Sequence, residues 1–124
     1  MNMNKLKIVE RLQERYPGKN IIAIPLEEPT EIVCEVEPAS NHPEYSIAIS
    51  VVDKSDIHYH LKSVEIYRVI EGELDVFIDG ISHHLKSGEF IAIEPNSKHY
   101  AVGNETWVEC RSEPGWTVED HFTA

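Results

Sequence analysis

Residues 57–72, IHYHLKSVEIYRVIEG, set two histidines, a glutamate and a closing glycine inside one short apolar run. Side chains two apart share a face in a β-strand, so His58 and His60 point the same way and Tyr59 points opposite. A bend through Leu61-Lys62-Ser63 brings Glu65 alongside on the next strand, where Glu65, Tyr67 and Val69 share a face and Arg68 looks away. Three polar groups on the face that should be buried are either tolerated separately or converge on something that binds them all.

Outward from this run the chain keeps a β-rhythm. EIVCEVE (31–37) and YSIAISVV (45–52) precede it, and ELDVFIDG, EFIAIE and TWVECR follow at intervals of roughly ten residues. Gly, Pro, Asn and Asp separate them, which argues for an antiparallel sandwich or barrel. Asp79-Gly80 is a two-residue hairpin signal, because both turn positions favour positive φ. Only residues 4–16, NKLKIVERLQERY, show helical spacing, with Leu6, Val9 and Leu12 on one face, Ile8 beside them, and Pro17-Gly18 as the stop. The expectation is an N-terminal helix and connection over 1–20 and one barrel with its C-terminal tail over 21–124.

The chain has 124 residues, enough for one domain with a core of its own. Its 22 Asp and Glu against 11 Lys and Arg leave a formal charge of -11, which repels nucleic acid and anionic membrane surfaces and favours cation uptake. No apolar run reaches the roughly 18–20 residues of a membrane span. MNMNKLKIVERL has no signal-peptide pattern, so a cytoplasmic location is expected. Cys34 and Cys110 have no metal-ligand spacing and read as two buried thiols.

A fourth polar group joins His58, His60 and Glu65 from downstream. In GEFIAIEPNSKH (88–99) a strand runs into a Pro-Asn turn and delivers His99. Three imidazoles and a carboxylate suit one divalent first-row metal, and Fe, Mn, Ni, Zn or Cu all fit such a set. Without a metal, the same residues would be interior histidines hydrogen-bonded to Glu65 and to one another.

These two segments resemble the two motifs of the cupin superfamily. The first motif, HxH, then Glu, then Gly, is carried here by His58, His60, Glu65 and Gly72; the second runs from Gly88 to His99. The resemblance covers residues 45–110 and departs at three places. The glycine expected ahead of the first histidine falls at Val52, the turn glycine at Asn96, and the asparagine expected after the last histidine at Gly103. Asn is the commonest substitute for glycine in left-handed backbone, so the turn survives. The resemblance implies an all-β, cupin-type antiparallel barrel (a double-stranded β-helix, or jelly roll) open at one end. It also implies metal ligands His58, His60, Glu65 and His99, and a homodimer whose outer face includes Ile66, Arg68 and Ile70.

The expected function is action on a small, non-phosphorylated metabolite at this centre, by dioxygenase-type or Lewis-acid isomerase or lyase chemistry. The alternative is a non-catalytic barrel that binds or senses a sugar or metabolite. Tyr67 is a candidate proton carrier or substrate contact, weighed against a core role with its hydroxyl satisfied. His83 and His84 read as surface residues, and His42 and His121 as exposed ones. A tail folded over the barrel would instead make Trp116 and His121 lid candidates. Trp107, Glu109 and Arg111 face away from the interior that Val108 and Cys110 share.

Overall fold

The structure, a computed structural model, describes residues 3–124. Helix α1 (Lys5–Arg15) is capped by the Asn4 side chain, which accepts from the Lys7 amide, and Gly18 leaves it in left-handed backbone (φ 76°). Ten strands follow: β1 (Asn20–Ile24), β2 (Glu31–Glu37), β3 (Ser46–Lys54), β4 (His58–Tyr59) and β5 (Val64–Glu71), then β6 (Glu73–Ile78), β7 (Ile81–Lys86), β8 (Phe90–Ile93), β9 (His99–Glu113) and β10 (Phe122–Thr123). A short 3₁₀ turn, Val118–Asp120, precedes the last.

All pairings are antiparallel, and β9 is their spine. Its first half pairs with β4 and β6, and its second half lies between β3 and β5. The strand rhythm predicts TWVECR as a separate strand, but the backbone runs unbroken from His99. A bend at Gly103–Glu105 lets it serve both halves. Glu105 has φ 47°, and a Cβ on Gly103 would lie 2.5 Å from Thr106 Oγ1, so only glycine fits that curl. The Asp79-Gly80 hairpin forms as expected, with φ of 48° and 83° and Ile78 opposite Ile81.

The curled sheet encloses one core, and α1 covers part of its outer face. Inside lie Val52, Tyr67, Val69, Leu74, Val76, Leu85, Ile93, Ala101 and Val108. Outside, α1 closes a second cluster of Met3, Ile8, Leu12, Ile32, Cys34, Ile49, Val51 and Trp107. Trp107 does point away from the barrel interior, but it is buried beneath α1, with the Arg11 guanidinium 4.5 Å from its ring centroid. The helix buries Ile8 and Leu12, one turn apart, and leaves Leu6 80% exposed, so the expected Leu6–Val9–Leu12 face is rotated. Cys34 and Cys110 are both free; Cys34 belongs to the outer cluster and Cys110 packs against the inner one.

Strand β2 reverses the usual sense of an alternating strand. Its apolar row, Ile32, Cys34 and Val36, turns outward under α1, and its other row, Glu31, Val33, Glu35 and Glu37, lines a cavity inside the barrel. No helix among the described residues is long and apolar enough to cross a membrane.

Candidate metal centre

His58 lies on β4, His60 just after it, Glu65 on β5, and His99 opens β9 in register with His58. The Asn96 turn between β8 and β9 has φ 67°, the left-handed backbone expected there, and its amide donates to the His60 carbonyl at 2.6 Å. Two segments almost forty residues apart are thereby tied together. All four side chains are buried, and one potential ligand atom from each lies within 4.8 Å of the others, a span comparable to twice a metal–ligand bond of about 2.0–2.2 Å.

The outer nitrogens determine what the inner ones can do. His58 Nδ1 donates to the Asp56 carbonyl at 2.8 Å, His99 Nδ1 to the Ser97 carbonyl at 2.8 Å, and His60 Nδ1 to the Asp120 carbonyl at 2.6 Å. A carbonyl only accepts, so each ring carries its proton on Nδ1 and turns Nε2 inward. His60 Nε2 and His99 Nε2 lie 2.8 and 2.9 Å from Glu65 Oε1, and His58 Nε2 lies 3.7 Å from it. Unless extra protons sit on buried rings, these are lone pairs facing a carboxylate oxygen, and a cation satisfies all of them at once. Burial alone would raise the Glu65 pKa, but the surrounding imidazoles hold it well below the ordinary carboxylate range. Burial pulls His60 downward, and its hydrogen bond to Glu65 more than offsets this, leaving its pKa raised.

His58 and Glu65 line a cavity of about 210 Å³. Tyr67 lines it, and burial together with the nearby Glu65 charge pushes its phenol well above the usual pKa, so the hydroxyl stays protonated. Ile22, Ile24, Val33 and Ile47 form the apolar part of the wall, and no lysine or arginine lines it. Glu31 was not singled out from the sequence, where it is one acidic residue among 22. It accepts from Ser50 Oγ at 2.7 Å inside the cavity, and burial raises its pKa.

His121 is not exposed, as expected of a tail residue, but half-buried with its ring stacked on His58 at 4.6 Å. Trp116 Nε1 donates to its Nδ1 at 3.2 Å. Burial and the His58 and His60 rings beside it lower its pKa. The other histidines lie outside the centre. His84 sits on the surface between Asp75 and Glu73, His83 is half-buried on the same strand, and His42 is half-buried, with its ring bonded to Glu37 and to the Tyr45 carbonyl.

Similar folds occur among solved structures. The Streptomyces nucleoside dehydratase Pac13 superposes with a TM-score of 0.76 at 11% identity, covering 88% of this chain and 87% of its own. A protein from Planctomyces limnophilus gives 0.73 at 21% identity, covering 86% and 91%. Ectoine synthase from P. lautus gives 0.61 at 17% identity, covering 77% and 76%. At these identities the likeness is one of fold. No curated protein sequence matches the chain significantly. The family model described as Cupin domain matches residues 47–112, just over half of the 124 residues and inclusive of all four converging side chains. The chain belongs to the cupin domain family.

Proposed function

We propose that His58, His60, Glu65 and His99 hold one divalent first-row ion, at which the protein acts on a small, non-phosphorylated metabolite bound in the adjoining cavity. The carrying observation is the common orientation of the three imidazoles, each with Nδ1–H donated outward and Nε2 turned toward Glu65. Read without a metal, the two short contacts to Oε1 need protons on rings that already carry one, concentrating positive charge around a single buried carboxylate. A bound ion would supply Lewis acidity toward a ligand oxygen, or one-electron chemistry if the metal is redox-active.

The chain's own groups favour the isomerase or lyase reading. Tyr67 offers a protonated hydroxyl and Glu31 a half-buried carboxyl with a raised pKa, and both line the cavity with Ser50. Two proton-carrying groups near one centre suit transfer within a substrate better than binding alone. The missing basic wall argues against a phosphate. A non-catalytic binder draws its support from the apolar share of the wall, Ile22, Ile24, Val33 and Ile47. A homodimer in the cytoplasm completes the proposal, with Ile66 and Arg68 on the outer face; Ile70 packs partly against the cluster beneath α1.

Metal analysis of the purified protein and calorimetric titration with Zn(II) test the centre. One ion per chain is expected, with His58→Ala and His99→Ala each weakening binding by at least ~10-fold and His83→Ala leaving it unchanged. Equal losses in all three, or no uptake of any of the five metals, would overturn the assignment.

A further inference from the structure

The three imidazoles do not share one kind of support. His58 and His99 each donate Nδ1–H to a carbonyl two residues upstream on their own segment. His60 has no such local partner, and its acceptor is the carbonyl of Asp120, sixty residues away in the C-terminal tail. The carboxylate of the same residue receives the Leu61 amide at 2.9 Å and the Ser63 amide at 3.1 Å, with the Lys62 amide shared between its two oxygens at 3.2 and 3.1 Å. Those three amides make up the bend that carries the chain from His60 to Glu65. One tail residue therefore orients one inner side chain and clamps the bend leading to the next.

The rest of the tail is laid along the same edge. Ser63 Oγ donates to the Pro114 carbonyl at 2.8 Å, and Trp116 N donates to Ser46 Oγ at 2.8 Å. β10 pairs with β4, and Phe122 stacks on Tyr59 at 5.3 Å. His121 then lies over His58 at the cavity wall. No tail residue belongs to either hydrophobic cluster, so the segment is held by local polar and aromatic contacts that can be broken without dismantling a core.

We propose that the C-terminal segment 114–124 is a strap closed over the centre, with Asp120 as a positioning residue, so that strap docking and metal binding stabilise each other. This rests on the metal reading above. If docking orients His60 and the 61–63 bend for the ion, the ion must favour docking by the same factor.

The test uses Zn(II) titration of the full chain, of Asp120→Ala, and of a chain ending at Trp116, with Val118→Ala as an exposed control. Asp120→Ala and the shortened chain should bind Zn(II) about 10–100-fold more weakly than the full chain, and the control should match it. Two further readouts separate positioning from general loosening. In the metal-free shortened chain, imidazole ¹⁵N shifts should show His60 losing its Nδ1–H tautomer while His58 and His99 keep theirs. In the full chain, Zn(II) should slow hydrogen exchange at the Leu61, Lys62 and Ser63 amides. Zn(II) affinity within twofold across all forms, or an unchanged His60 tautomer, would overturn the strap and leave the metal reading intact. Failure of the full chain to take up Zn(II) or any of the other four metals would remove the metal reading, and the coupling with it.

Discussion

Glu31 and Glu65 are carboxyls of one cavity that the surroundings drive in opposite directions. Glu65 is ringed by imidazoles and stays ionised. Glu31 has one hydroxyl partner, and its burial dominates, with the Glu65 and Asp56 charges adding to it; the Ser50 bond and His58 only partly offset the effect. A folded-state pKa above the unfolded value means that the unfolded chain releases its proton first as pH rises. Stability from this group is therefore fully present below the ordinary value of 4.5 and lost as pH climbs through the raised one. Glu31→Gln should melt at the same temperature as the natural chain near pH 4 and at a higher one near pH 8, with each 1 kcal/mol worth about 3–6 °C in a chain of this size. Melting curves at the two pH values check it; a loss of stability at both would make Glu31 a structural hydrogen-bond partner. A carboxyl kept in a cavity against its own stability is a reason to place it in function.

Among the elements, α1 and β2 have to be understood together. β2 can turn its acidic row inward because α1 covers its apolar row from outside, through Ile8 and Leu12. Leu12→Ala should cost about 2–5 kcal/mol in chemical denaturation, while Leu6→Ala, at 80% exposure, should stay within about 0.5 kcal/mol. Equal costs would mean that the helix packs on the face its spacing first suggested. If Leu12→Ala also weakens ligand or metal binding, the outer cluster supports the acidic row as well as the fold.

For the molecule as a whole, the site is a point where distant segments meet: β4, β5, the start of β9 and the tail. A ligand that binds only where they meet stabilises the folded chain by mass action, about 2.7 kcal/mol when free ion stands at 100 times its Kd. Zn(II) should therefore raise the melting temperature in a concentration-dependent way, and a chelator should return it to the metal-free value. Calorimetry at several Zn(II) concentrations measures this, and an unchanged melting point would count against binding to the native state. The excess of acidic residues acts on the same step, favouring approach of a cation to the barrel.

Much of this was legible in the residues alone. The two-residue period of IHYHLKSVEIYRVIEG put His58 and His60 on one face, the Asp79-Gly80 and Asn96 turns carried their own backbone demands, and the Gly88–His99 segment pointed to the fourth side chain. Those signals are local, because strand alternation and left-handed turns depend on a few neighbours. Tertiary structure decided what local signals could not. Alternation marks two faces of a strand without saying which looks inward when both are covered, so the cavity-side position of Glu31 and the outer burial of Trp107 appeared only with α1 in place. The bond from His60 to Asp120 spans sixty residues and has no period, so only the closed chain could make the tail part of the site.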